Sequence, residues 1–141
     1  MNEFELRGLL ADVGTELGHA DRYLLADLRH TVIDDVVVNV IHDAQFDRNR
    51  LILHFVVGEL PGDKAIVAME RLLRLNLLSG SKTTGVFALA PSTSEVIYAV
   101  HFFEPQRSTP RAVADALREH AKKAKAAEEL MCAEVAEVAE A

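Results

Sequence analysis

The chain reads as an α+β domain: a mostly antiparallel twisted sheet with three helices, in the order α–β–β(–β)–α–β–β–α, working as a homodimer. Three observations carry this expectation. β-Branched and aromatic runs come in pairs, 36–41 with 51–57 and 84–90 with 95–103, as antiparallel hairpins do. Segments with helical apolar spacing flank and separate those pairs, an arrangement that favours an antiparallel sheet over an alternating parallel one. The helix between the pairs is apolar on more of its circumference than one neighbour covers.

The first helix follows from Leu6, Leu9, Leu10, Val13 and Leu17, which form one stripe at helical spacing. Asn2 can cap it, Glu5 stands in a capping-box relation, and Gly18 can end it. Gly8 and Gly14 weaken this helix, and tolerance of them is favoured over close approach of another backbone. Residues 21–31 leave their class open, although Leu24, Leu25 and Leu28 would suit a short helix. The first hairpin joins Val36–Ile41 to Leu51–Val57 through the polar loop DAQFDRNR. Asp63 can cap a second helix running to about Leu78, with Gly80 placed to end it. TGVFALA and EVIYAVHFF form the second hairpin around Pro91-Ser-Thr-Ser. Thr109-Pro110 opens the last helix, whose stripe is Val113, Ala116, Leu117, Ala121 and Ala124. The Glu/Ala-rich residues 132–141 read as a flexible tail, which leaves 1–131 as a single domain.

In the middle helix, Ile66, Met69, Leu73 and Leu77 make the stripe expected to face the sheet, with Ala65 and Leu72 beside it. Val67, Leu75 and Leu78 fall at other azimuths. The third helix or a second copy of the chain could cover them, and two-fold dimers are the commonest oligomers. The expected dimer interface is therefore Ile66, Val67, Leu72, Leu75 and Leu78. Both hairpins are also apolar on both faces, which fits either a groove for a peptide or a fully buried sandwich.

With 141 residues, half of them apolar, the chain has material for one core and is not disordered as a whole. The net charge of −7 sits early: residues 1–60 hold eleven Asp/Glu against five Lys/Arg. That excess argues against nucleic acid and anionic membrane as partners and leaves a basic polypeptide open. No run is long and apolar enough to span a bilayer, and Glu3, Glu5 and Asp12 break any leader-like pattern. The expectation is a soluble protein made and kept inside the cell.

Catalytic and metal-binding patterns are weak. Gly80-Ser-Lys-Thr-Thr-Gly85 resembles a phosphate loop but fails on spacing and leads from helix to strand, so it reads as a turn. His19, His30, His42, His54, His101 and His120 lack ligand spacing, although His42, His54 and His101 could meet across a sheet. Asp34-Asp35 would point to opposite faces of a strand. The lone Cys132 has no partner base, and a single cysteine excludes an internal disulfide. No enzyme activity, cofactor or metal is expected.

Residues 50–104 resemble the class I type III secretion chaperones, the Tir chaperone (CesT) family. Leu60-Pro61, Leu73 to Asn76, Gly85 to Ala90 and Val96 to Phe103 follow the family's order and spacing, while the flanking helices fit in kind. Segment 20–35 departs from the pattern, which has a strand and a glycine turn there. The resemblance implies a homodimer without ATPase activity that keeps the N-terminal chaperone-binding segment of a secreted effector soluble, non-globular and secretion-competent. It implies one or a few effectors as partners, with the secretion ATPase a further candidate. Mainly on that ground, Leu10, Val13, Leu17, Val38, Val40, Leu53 and Phe55 are the expected effector-binding residues. The alternative is a small dimeric regulatory or scaffolding protein of the same fold with a different protein partner.

Overall fold

The computed structural model of the chain describes residues 1–79 and 85–133, with the backbone alone at 78 and 79. Helix α1 (Glu3–Glu16) and the short α2 (Leu24–Leu28) precede strands β1 (His30–Ile33) and β2 (Val36–Ile41). One turn of helix, α3 (Ala44–Asp47), leads into β3 (Arg50–Glu59). Helix α4 (Ala65–Ser79), strands β4 (Gly85–Leu89) and β5 (Glu95–Phe103), and helix α5 (Pro110–Cys132) follow. The strands form one antiparallel sheet in the order β1-β2-β3-β5-β4. The architecture is the α+β class expected, with the bracketed extra strand present.

Local chemistry accounts for the element ends. The Asn2 side chain accepts the Glu5 N–H at 2.8 Å and caps α1. Gly18, at φ +82°, lies just past its end, where the Gly18 and His19 N–H groups return to Thr15 and Gly14. Gly14 is required by close approach: a Cβ there would stand 2.9 Å from the Arg22 carbonyl oxygen, whereas one at Gly8 would meet open space. The expectation of mere tolerance therefore holds at Gly8 and fails at Gly14. Residues 20–35 resolve into α2 and β1. The turn between β1 and β2 places Asp34 and Asp35 at φ +50° and +67°, the conformation of a two-residue type I′ hairpin turn. Two aspartates, tolerant of left-handed backbone, thus make the turn that the family pattern gives to glycine. The loop 42–49 holds α3, capped by Asp43 through the Gln45 and Phe46 N–H groups. Thr109 caps α5 through the Ala112 N–H, with Pro110 as its first residue.

The core lies between one face of the sheet and the helices. Val36, Val38 and Val40 of β2, Leu51, Leu53, Phe55 and Val57 of β3, and Val96, Tyr98 and Val100 of β5 point inward. Helix α5 meets them with Val113, Leu117, Ala121, Ala124, Ala127 and Met131, a mostly small stripe that lets the helix lie close. Leu6, Leu10 and Val13 of α1 and Leu25 of α2 close the cluster. Phe87 stacks on Tyr98 at 4.6 Å between ring centroids, and Phe55 lies 6.0 Å from Tyr98 on its other flank.

Helix α4 is rotated from its expected setting. Ala68 and Leu72 face the core, and Arg71 turns inward beside them. Of the stripe expected to pack on the sheet, Ile66, Leu73 and Leu77 are 71%, 67% and 83% exposed, and Met69 is half-buried. The small Ala68 and the hydrogen bonds of Arg71 to the end of α5 set the inward azimuth, which leaves the larger side chains outside. The Gly80 helix stop and the turn over 80–84 lie outside the described residues. So does most of the 132–141 tail; Cys132 is the last residue of α5 and is exposed.

Candidate functional site

The site is built from the outer face of the sheet and its β1 edge. Strand alternation that sends Val36, Val38 and Val40 inward sends Val37, Asn39 and Ile41 outward. Val32 of β1, Ile52, His54 and Val56 of β3, and Ile97, Ala99, His101 and Phe103 of β5 share that outer face by register. The flanks of the face are open, with Val32 59% and Phe103 56% exposed. Its centre on β3 and β5 is half-buried. A largely apolar surface of this kind, crossed by Asn39 and His54, marks a place where something else docks.

Two histidines sit in its middle. His54 pairs with Ala99, and His101 pairs with Ile52, so the imidazoles are diagonal neighbours. Burial and the nearby His101 charge hold the His54 pKa below its ordinary value. The Arg50 guanidinium donates to His101 Nδ1 at 3.2 Å and lies over the Phe46 ring at 4.6 Å. His42 is apart from this pair and hydrogen-bonds the Arg48 carbonyl oxygen. Among the described residues no group of three or more His, Cys, Asp or Glu is placed to hold a metal ion.

The edges of the sheet differ. In β1 the Val40 N–H bonds the Arg29 carbonyl, and this parity turns the backbone groups of His30 and Val32 away from β2, toward the free edge. In β4 the Ala90 N–H bonds Glu95, which by the same parity turns the groups of Phe87 outward. There the Asn76 side-chain amide donates to the Phe87 carbonyl at 3.1 Å, and its oxygen accepts the Phe87 N–H at 2.7 Å. Asn76 therefore imitates a neighbouring strand and closes that edge at Phe87. Beside it a cavity of about 240 Å³, lined by Met69, Leu72, Leu73, Phe87, Leu89 and Val96, separates α4 from β4.

The residues expected to bind an effector are placed elsewhere. Leu10, Val13, Val38, Val40, Leu53 and Phe55 are buried in the protomer core, and Leu17 packs against it partly exposed. They form core rather than an open groove, because each strand member among them stands on the inward parity. Their sequence neighbours Val37, Ile41, Ile52 and Val56 are the ones on the outer face. The residues expected at the dimer interface also separate. Ile66 is exposed and Val67 half-buried, whereas Leu72 points into the core and Leu75 packs against it. The side chain of Leu78 lies outside the described residues. The apolar surface that α4 presents outward is Ile66, Leu73 and Leu77.

Among the described residues no helix is long and apolar enough to cross a membrane. No curated protein matches the chain in sequence. Among the solved structures that share its fold are two complexes. A crystal structure of the ExsC–ExsE complex superposes with a TM-score of 0.71 at 20% identity, covering 93% of this chain and 97% of that one. The HopA1–SchA chaperone–effector complex gives 0.65 at 14% identity, covering 90% and 95%. The model of the Tir chaperone protein (CesT) family matches residues 8–128. That match spans both hairpins, α4 and nearly all of α5, and the chain belongs to the Tir chaperone protein (CesT) family.

Proposed function

We infer that the chain is a type III secretion chaperone that binds a segment of a secreted effector and keeps it soluble and competent for secretion. Family membership over residues 8–128 is the observation that carries this reading. The geometry supports it: a half-covered apolar sheet face lies beside an unpaired strand edge. An extended peptide can add to β1 through the outward groups of His30 and Val32, while apolar side chains of the cargo rest on Val37, Ile41, Ile52 and Ile97. The reading assigns the chain no reaction. It places the protein in the bacterial cytoplasm, where the cargo is made. The acidic first sixty residues would steer a basic cargo segment toward this side of the molecule.

The same reading makes the working unit a homodimer, joined through the exposed face of α4. Ile66, Leu73 and Leu77 carry the apolar surface that a second copy would cover, with Val67 at its margin.

Co-expression with the N-terminal segment of the secreted protein encoded beside this chain tests both parts. The purified complex should contain two copies of the 15.5 kDa chain. Val32→Pro removes an N–H that β2 does not use, so the free protein should keep its melting temperature. Cargo affinity should drop about tenfold or more, the loss of main-chain pairing at the added strand. Unchanged affinity in Val32→Pro would place the cargo off the β1 edge.

A further inference from the structure

Register sorts the outer face of the sheet into rows that run across the strands, about 7 Å apart. Arg50 stands at one end, His101 comes next, and His30 and His54 follow on either side of Asn39. Val32, Val37, Val56 and Ile97 then make an apolar row, and Glu59 pairs with Glu95 at the far end. Strands β2 and β4 add no ionisable group to this face. Asp43 and Asp47 in the adjoining loop turn to their own backbone, bonding the N–H groups of Gln45, Phe46 and Asn49. In a chain with 22 acids and 15 bases, one end of the open face is thus lined by a guanidinium and imidazoles.

Arg50 makes no ion pair among the described residues. Its guanidinium lies over the Phe46 ring, 74% exposed, and donates to His101 Nδ1. Both partners are neutral, because a guanidinium only donates and Nδ1 must therefore carry its lone pair. His30 is occupied at the Leu28 carbonyl through its own Nδ1. Burial and the neighbouring His101 resist a charge on His54. A cargo that covered this end with apolar or basic groups would bury an unpaired cation. A carboxylate there would find donors on Arg50 and on protonated imidazoles.

We propose that the outer face selects an amphipathic stretch of the cargo, its apolar stripe on Val37, Val56 and Ile97 and its bordering carboxylates at Arg50, His54 and His101. The inference rests on the chaperone reading and adds the chemistry of the bound stretch. The acids of the first sixty residues stand mainly on α1, α2 and the turns, so they and this face address different stretches of one cargo. Binding then takes up protons, because a carboxylate beside His54 and His101 favours their charged forms. Affinity rises as pH falls through the imidazole range, where cargo carboxylates stay ionised.

The test titrates the full chain with the N-terminal segment of the secreted protein encoded beside it, at pH 7.5 and 6.0. Affinity should rise about fivefold or more at the lower pH and weaken with added salt. His54→Gln combined with His101→Gln should flatten the pH response. Arg50→Gln should weaken binding about tenfold at pH 7.5, the loss of one charge pair. All three side chains stand on the open face, so the free variants should melt near the parent, and the parent's own pH and salt response decides if they do not. Affinity that is equal at both pH values, or weaker at pH 6.0, would overturn the inference and leave the chaperone reading standing. A rise at pH 6.0 that survives the double variant would overturn it too, because other groups would then take up the protons. A segment that binds at neither pH would overturn the chaperone reading and this inference with it.

Discussion

The two edges of the sheet carry the same problem, unpaired backbone groups, and solve it differently. At β4 the chain caps the middle of its own edge: α4 lies alongside, and the Asn76 amide takes both the N–H and the carbonyl of Phe87. At β1 the outward groups of His30 and Val32 have no hydrogen-bond partner among the described residues. Open edges invite pairing with other chains, and proteins ordinarily cover or charge them. A fold that sets a half-buried asparagine against one edge and leaves the other bare presents the bare edge for use. The two faces divide in the same way, one sealed by α5 and α1 and the other left half-covered.

The largest expected effect contrasts adjacent valines. Val38→Asp buries an unpaired charge in the core and should leave the protein unfolded by circular dichroism, a cost of several kcal/mol. Val37→Asp, one residue away on the outer face, should cost about 1 kcal/mol or less and keep a cooperative melt. Equal damage from both would mean that the outer face is packed in the free protein.

Asn76→Ala comes next. It strands two backbone groups of Phe87 and should cost about 1–3 kcal/mol in chemical denaturation. It also gives the molecule a second open edge, so self-association should rise with concentration. A variant as stable and as soluble as the parent would show that α4 alone guards β4.

The smallest effect is a pH dependence. His120, against the Tyr98 hydroxyl on the inner side, is held below its ordinary pKa of 6.5 mainly by burial and then by Lys123. His54 on the outer face is lowered by burial and by His101. Both are favoured neutral in the fold, so below about pH 6.5 the unfolded chain takes up protons that the folded chain resists. Stability is complete above that pH and declines as pH falls through it. Melting temperatures between pH 7.5 and 5 should decline, and His54→Gln should flatten part of the slope. A melting temperature that rises toward pH 5 would contradict the assignment.

Much of this was legible in the sequence, and the exceptions have physical reasons. The helix ends at Asn2, Gly18 and Thr109-Pro110 read directly, because these residues act on backbone within a few positions. Four strands announced themselves through β-branched runs. The first strand did not, since His30-Thr-Val-Ile is short and half polar and its turn is made by Asp34 and Asp35 instead of glycine. Which valines face inward was not legible, because Val36-Val-Val carries no alternation. Register with β1 and β3 decides it, and moving the parity by one residue exchanges Val38 for Val37. The azimuth of α4 was hidden for a different reason. Arg71 faces inward because of carbonyls near residue 130, some sixty positions along the chain, and no local pattern records that. Asn76 was visible as part of a family-like motif, but its work at the β4 edge required the fold.

Backbone hydrogen exchange of the protein, free and bound to its cargo segment, tests the open edge most directly. With cargo present, the Val32 N–H and its β1 neighbours should become strongly protected, while the Phe87 N–H, already held by Asn76, should change little. Protection that appears along β4 and spares β1 would contradict the account.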